Sequence, residues 1–259
     1  EQNGQIIDDK EELKKILTYE ELKKLYGIET KKPILTPQTF KELFYDLAAI
    51  YILDESKELT PKIIKNVTLQ LYEFLKNPSN YVSKQPYISL DGHHDRQLAI
   101  RGLLTQYDWQ NSLNQKIGSE YKSQILRAFQ GINLNQFITP NEVVSFMANL
   151  VHFSDKDKVI DFECGSGSFI SAAINSGVKL ENILAIDVAD LPYLVTKTYL
   201  ALNFGITGNK IDDIPVKQAN GLLNYGNNWN VVISNPAGGN KYDPEDELND
   251  LSQIYKHLD

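Results

Sequence analysis

Cysteine is nearly absent from this chain of 259 residues, because Cys164 is the only one. A single cysteine excludes an internal disulfide framework and is typical of a reducing compartment. Long apolar runs are also missing: the longest, over residues 44–53, is interrupted by Asp46 and is shorter than the roughly 18 to 20 residues that span a bilayer. The first residues show neither a basic start nor an apolar stretch, so no secretory signal is predicted. We therefore expect a cytoplasmic protein.

Positive charges are outnumbered by negative ones. The chain has 26 lysines and arginines against 34 aspartates and glutamates, which gives a formal net charge of −8. Contacts to phosphates and the release of counterions supply most of the non-specific affinity for nucleic acid. If the chain acts on DNA, we expect a separate partner to help it bind.

The chain divides near residue 130 into two parts with different patterns, and we predict a helical domain over 1–130 and an α/β core over 131–259. In the first part, Thr36 and Thr60 each precede a proline, the arrangement of a helix N-cap followed by proline in the first turn. The helix from Thr60 is expected to end at Asn77. Residues 78–118 are polar and rich in turn residues, which predicts loops around short helices. Within them, His93 and His94 are interpreted as a solvated turn, since no further metal ligands cluster nearby.

The second part alternates between helices and short apolar strands. We predict a helix after Pro140 and strands at about 157–162, up to Asp187, at 214–219 and at 230–234, with a helix over 190–204 before the third strand. The predicted face of the helix after Pro140 consists of Val143, Val144, Met147 and Leu150. Strands separated by single helices form a parallel sheet through right-handed crossovers, and such sheets bind ligands at the carboxyl ends of the strands.

A glycine turn follows the first predicted strand. Gly165 and Gly167 allow the backbone to approach a ligand closely, and Asp161 at the strand end can accept hydrogen bonds. The same pattern is also compatible with a tight connection that binds nothing. Asp187 favours a ligand, because a carboxylate at the next strand end can bind both hydroxyls of a ribose. Ile170 stands where a dinucleotide site has its third glycine, so an adenosyl cofactor without phosphates fits better.

These residues resemble the amino-methylating DNA adenine methyltransferases, in particular the modification subunits of type I restriction systems. Residues 161–169 read DFECGSGSF and are similar to the DPACGSGGF cofactor loop of that family, and residues 136–140 read QFITP where the family has QFFTP. Asp187 matches the acidic position that binds the ribose, and Asn220 falls where an aspartate meets the adenine of the cofactor. Asn235-Pro236 begins the family's NPPF/Y catalytic motif.

The resemblance implies a Rossmann-like α/β methyltransferase fold that uses S-adenosylmethionine, with double-stranded DNA, a separate specificity subunit and a restriction subunit as partners. In the implied mechanism an adenine is flipped out of the duplex, and its amine donates to the side-chain carbonyl of Asn235 and the backbone carbonyl of Pro236. These two residues are the expected catalytic residues. The expected cofactor contacts are Gln136, Thr139, Asp161, Gly165, Ser166, Gly167, Asp187, Val188 and Asn220.

The chain departs from the family motif at Ala237 and Gly238, which replace the second proline and the aromatic residue that stacks on the flipped base. Tyr242 is the candidate to replace that ring. Ala237 and Gly238 support one alternative, a catalytically impaired module that binds the cofactor, or only a partner, and serves assembly. A second alternative is a methyltransferase of a protein glutamine amide, a class that shares the Asn-Pro-Pro-aromatic motif, although the Thr-Pro segment ahead of the cofactor loop speaks against it. The sequence also stops soon after the fourth predicted strand, before the last three strands of the methyltransferase sheet. We therefore expect either that the chain is a fragment of a longer protein or that a partner completes the sheet.

Overall fold

The computed structural model describes residues 31–55, 59–82, 93–113, 115–130, 139–223, 226 and 228–236. The helices before residue 131 are α1 (Pro37–Glu55), α2 (Pro61–Lys76), α3 (Pro78–Val82), α4 (His93–Thr105), α5 (Trp109–Ser112) and α6 (Ile117–Gln130). After it come α7 (Asn141–Val151), β1 (Val159–Asp161), α8 (Ser168–Asn175), β2 (Ile183–Asp187), α9 (Asp190–Phe204), β3 (Val216–Gln218) and β4 (Val231–Val232). None of these helices is long and apolar enough to cross a membrane.

Local capping sets the ends of α2 as predicted. The hydroxyl of Thr60 accepts a hydrogen bond from the backbone N–H of Ile63 at 3.3 Å, Pro61 occupies the first turn, and Asn77 is the C-cap residue. The apolar residues at helical spacing are buried: Ile63, Ile64, Val67, Leu71 and Phe74.

The prediction for residues 78–118 contained too little helix. The helix α4 begins at His93, where the sequence indicates a turn, and extends for 13 residues. Its buried residues Ile100 and Leu104 lie one turn apart, and α4 packs against α1. Packing of these two residues against the core therefore stabilises a helix that the local sequence favours only weakly.

The four described strands form one parallel sheet in the order β3-β2-β1-β4. This confirms the α/β fold class and the order of the elements. The strands are shorter than predicted: β1 has three residues where 157–162 was expected, and β4 has two where 230–234 was expected. The backbone N–H of Ile233 still donates to the carbonyl of Ile160 at 3.1 Å, so the chain leaves β4 alongside β1.

The helix α9 has the predicted bounds and lies in the centre of the molecule. Ten of its fifteen residues are buried, and it contacts α2 and α6 as well as β2 and β3. One hydrophobic cluster therefore contains residues from both sides of residue 130, from Leu35 to Ile233. The division into domains at 130 stays a prediction.

The buried face of α7 was predicted wrongly in part. Val144 and Ala148 are buried, whereas Val143 and Leu150 are 43% and 64% exposed. Because α7 carries apolar residues around most of its circumference, spacing alone does not select the face that packs. The C-cap residue of the helix is His152, which adopts a left-handed conformation with φ of 52°.

Candidate functional site

The loop between β1 and α8 is built on two glycines. Gly165 and Gly167 have φ of 52° and 73°, in the left-handed region that favours glycine. A Cβ on Gly167 would lie 3.0 Å from the side chain of Thr196. The sequence-based prediction of a tight glycine turn at the carboxyl end of β1 is therefore confirmed.

Gly165 is held by two neighbouring elements. Its backbone N–H donates to Asp187 Oδ2 at 2.9 Å, and its carbonyl accepts from the hydroxyl of Thr196 at 2.9 Å. Thr196 is fully buried on α9 and was missed by the sequence analysis, because nothing in the local pattern separates it from a packing residue. It links the central helix to the glycine loop.

Asp187 ends β2 facing this loop, although its carboxylate already has protein partners. Besides Gly165, the N–H of Ala189 donates to Asp187 Oδ1 at 3.0 Å. Each carboxylate oxygen has a second acceptor site. Burial raises the pKa of this group, and its hydrogen bonds to backbone N–H groups oppose that effect. Binding of a ribose by Asp187 stays a prediction.

Asp161 is a carboxylate whose burial makes its ionised form unfavourable. It is fully buried; Oδ1 accepts from the N–H of Glu163 at 3.3 Å, and Oδ2 has no hydrogen-bond partner among the described residues. Burial raises the pKa of Asp161 to about 7. The Ser234 hydroxyl, which is also buried and has no hydrogen-bond partner of normal geometry among the described residues, lies close enough to lower this pKa in part, as does the Glu163 N–H. A buried acceptor without a partner is costly, so this carboxylate has the chemistry to receive a cationic donor.

Three further side chains in and next to the loop are buried. The hydroxyls of Ser166 and Ser168 lie 3.2 Å apart and bond to each other. Cys164 is also buried, and burial raises the pKa of its thiol well above the usual value. A protonated buried thiol is a poor nucleophile, so Cys164 serves as a packing residue in the loop.

The loop after β3 lies against the loop after β1. The side-chain oxygen of Asn220 accepts from the N–H of Leu222 at 2.9 Å, which closes a tight turn. A Cβ on Gly221 would stand 2.0 Å from the carbonyl oxygen of Phe162. Gly221, another residue that the sequence analysis missed, therefore permits the contact between the two loops.

Substitution of Gly221 by alanine is expected to separate these loops, because the added methyl group meets backbone atoms that cannot rotate away. We expect a loss of about 1 to 3 kcal/mol in the free energy of unfolding, together with loss of ligand binding at this edge. Urea denaturation measures the first effect. Gly102→Ala is the matched control: a Cβ at this position in α4 meets nothing within 4 Å, so the variant is expected to be slightly more stable than wild type. Equal behaviour of the two variants would contradict this account.

Apolar side chains flank the site. Val188, the first residue after β2, is 64% exposed, and Leu222, in the turn that follows β3, is 63% exposed. Exposed apolar groups next to polar strand ends can cover the faces of a flat ring. A site with such groups and the unpartnered Asp161 oxygen fits a ligand that combines an aromatic ring system with an ammonium group, as S-adenosylmethionine does.

Asn235 and Thr139, which are 96 positions apart in the chain, are brought together. Asn235 Nδ2 donates to Thr139 Oγ1 at 3.2 Å. Asn235 and Pro236 are both exposed and follow β4, while Thr139 precedes α7. This bond leaves the side-chain oxygen of Asn235 without a donor among the described residues, and so available to an incoming amine.

Gln136, Ala237, Gly238 and Tyr242 lie outside the described residues. Their predicted roles stay predictions. Among the residues that the structure describes, no group of three or more His, Cys, Asp or Glu side chains could hold a metal ion.

Comparison with known proteins gives a consistent picture. The chain is similar to the methylase subunit of the type I restriction enzyme EcoEI from Escherichia coli, with 26% identity over 198 residues, 68% of this chain and 38% of the relative. It is also 26% identical over 142 residues to the type II restriction enzyme and methyltransferase RM.BcgI from Heyndrickxia coagulans, covering 50% of this chain and 22% of that protein. The chain thus spans about two fifths or less of the length of these curated relatives.

The fold is shared with a solved structure. A Listeria monocytogenes protein described as a class I S-adenosylmethionine-dependent methyltransferase matches 82% of this chain and 61% of its own, with a TM-score of 0.53 and 20% identity. The model of the N-6 DNA methylase family matches residues 115–257, more than half of the chain. The chain therefore belongs to the N-6 DNA methylase family.

Proposed function

We propose that this chain is the S-adenosylmethionine-binding part of a DNA adenine-N6 methyltransferase, the modification subunit of a type I-like restriction-modification system. It transfers a methyl group to the exocyclic amine of an adenine flipped out of the duplex. The single observation that supports this most is the bond between Asn235 and Thr139. It joins the predicted catalytic amide to a predicted cofactor contact at the carboxyl end of the sheet.

The proposed cofactor site consists of the carboxyl ends of β1, β2 and β3. Bound S-adenosylmethionine would supply an electrophilic methyl group on a sulfonium. Asp161 would pair with the ammonium group, Asp187 would bind the ribose, and Asn220 and Val188 would contact the adenine. The remaining proposed contacts are Gln136, Thr139, Gly165, Ser166 and Gly167, with Leu222 added from its exposure beside Asn220.

Catalysis in this proposal depends on alignment. The Asn235 side-chain carbonyl and the Pro236 backbone carbonyl accept the two hydrogens of the adenine amine and hold its nitrogen towards the methyl group. Thr139 accepts from Asn235 Nδ2, which orients the amide so that its oxygen faces the substrate. Tyr242 is the proposed stacking partner of the flipped base.

The proposed partners follow from the relatives and from charge. A net charge of −8 gives this chain little general affinity for a polyanion. We therefore propose a separate specificity subunit for binding and recognising the duplex, with a restriction subunit in the same system. A cytoplasmic location is consistent with the single cysteine.

The test is methyl transfer from S-adenosylmethionine labelled in its methyl group, with the full chain, its specificity partner and duplex DNA. We expect label on the N6 atom of adenine, and none on a duplex whose target adenines are already methylated. Label on a glutamine amide of a protein substrate would favour the alternative activity. If the cofactor binds and no label moves, but Ala237→Pro with Gly238→Phe restores transfer, the chain is an impaired module.

A further inference from the structure

Lys122 brings a positive charge from the N-terminal helices to the glycine loop. Its Nζ lies 3.4 Å from the carbonyl oxygen of Gly167, the N-cap residue of α8, and 5.3 Å from the centre of the Tyr199 ring. The side chain is half-buried. Among the described residues, no carboxylate pairs with this amine, in contrast to Lys65 with Asp190 and Lys76 with Asp212.

The position of Lys122 is set by the packing of its helix. A Cβ on Gly118 would lie 2.7 Å from the backbone nitrogen of Asn203, so α6 touches the backbone of α9 at this glycine. One turn further on, the hydroxyl of Tyr121 bonds to Thr68 of α2 at 3.0 Å. These contacts fix the helix from which the side chain of Lys122 reaches the glycine loop.

We propose that Lys122 is a positioning residue for cofactor binding: its ammonium group holds the carbonyl of Gly167 and thereby keeps the glycine loop in its binding conformation. The inference rests on the proposed function, because it concerns the same cofactor site. It gives the helical region before residue 130 a direct role in that site. A charge-assisted hydrogen bond is stronger than one between neutral groups, so the protonated amine holds the loop better than the neutral one.

The protonation of Lys122 changes within an accessible range. Burial lowers the pKa of its amine to about 8, and no neighbouring charge contributes to that shift. Tyr199 stays neutral in this range because burial raises the pKa of its hydroxyl. Of the carboxylates on α6 and on the helices packed against it, Glu120 bonds to Gln124, Glu42 accepts from Gln38, and Asp190 pairs with Lys65. The other charged side chains described on these helices do not shift the pKa of Lys122: Lys41, Asp46, Lys62, Glu73, Lys76, Arg127 and Lys197.

The experiment measures the dissociation constant of S-adenosylmethionine by calorimetry between pH 6.5 and 9.5 for the wild type, Lys122→Met and Lys122→Arg. The α-amino group of the cofactor itself titrates near pH 8. The dissociation constants of two proteins are therefore compared as a ratio at each pH, because the titration of the cofactor affects both equally. At pH 7 we expect Lys122→Met to bind about tenfold more weakly than wild type. Lys122→Arg is expected to restore affinity to within about threefold, since it keeps the cation.

The decisive result is how these ratios change with pH. Above pH 8 the wild type loses its charge, so its affinity should fall relative to Lys122→Arg and approach that of Lys122→Met. Lys210→Met, an exposed lysine in the turn before β3, is the control for the change in net charge. Ratios that stay constant with pH, or a Lys122→Met variant that binds as tightly as wild type, would overturn the proposal.

A measurement on the free protein separates this proposal from the proposed function. The NMR signal of the Lys122 ε-carbon should titrate near pH 8 without any cofactor, and the N–H of Ser171, which donates to the Gly167 carbonyl at 2.8 Å, should shift with the same midpoint. Lys122→Met should abolish the shift at Ser171. If these signals behave as expected but no cofactor binds, the proposed function fails while the coupling of Lys122 to the loop stands. If Ser171 shows no such shift, the positioning role is wrong.

Discussion

Replacement of Asp161 by asparagine is expected to stabilise the ligand-free protein at pH 8 and to weaken cofactor binding. The wild-type carboxylate is fully buried with one oxygen unpartnered among the described residues, and burial raises its pKa to about 7 from an ordinary 3.8. Below pH 3.8 the group is protonated in both the folded and unfolded states. As pH rises from there to about 7, only the unfolded state ionises, so the folded protein loses stability through this group.

The size of this effect follows from the shift. One pKa unit corresponds to about 1.4 kcal/mol, so the window from 3.8 to about 7 corresponds to about 4 kcal/mol in the free energy of unfolding. The substituted asparagine cannot ionise and avoids this loss. Urea denaturation of Asp161→Asn should therefore show a gain over wild type at pH 8 that disappears towards pH 4. The exposed Asp155→Asn is the matched control and should show no such gain.

The same substitution should reduce affinity for S-adenosylmethionine by roughly one to two orders of magnitude, because a hydrogen bond to a charged group contributes about 1.5 to 3 kcal/mol. For the same reason, wild-type affinity should rise with pH through about 7, as Asp161 ionises. Calorimetric titration measures both. A variant that is no more stable than wild type at pH 8 would show that the buried carboxylate does not destabilise the fold. A variant that binds the cofactor equally well would show that Asp161 does not contribute to binding.

Replacement of Asn235 by alanine is expected to reduce the rate of methyl transfer by roughly a hundredfold to a thousandfold, the usual effect of removing one group that orients or stabilises a transition state. The side chain is exposed, and its one described bond is to Thr139. The free energy of unfolding should therefore change by less than about 0.5 kcal/mol. Cofactor affinity should change little, because the proposed role concerns the adenine amine.

The assay is single-turnover transfer of labelled methyl to duplex DNA, with the specificity partner present. Asn209→Ala is the matched control, since this exposed asparagine lies in the turn before β3, at the opposite end of the sheet from the site. Thr139→Val should produce a smaller loss, because it leaves the Asn235 amide in place but no longer orients it. Transfer by Asn235→Ala within threefold of wild type would exclude the alignment mechanism.

Features that depend on residues close together in the sequence could be predicted from the sequence alone. The proline after Thr60 and the end at Asn77 bound α2, the run over 190–204 forms α9, and the alternation of helices and strands produces the parallel sheet. Capping and periodicity act within a few turns, so a single sequence contains enough information to predict them. The order of the motifs was sufficient to identify the family, to which the chain belongs.

Contacts between distant parts of the chain were decided by the tertiary structure alone. No local signal reveals the bond from Thr196 on α9 to the glycine loop, the contact of Gly221 with Phe162 or the bond from Lys122 to Gly167. Each of these contacts depends on how α6, α9 and the loops pack together. The same reason explains the exposed half of α7 and the helix at His93. Local sequence determines which elements form and in what order, whereas the side chains that meet in the site depend on packing between elements remote in the chain.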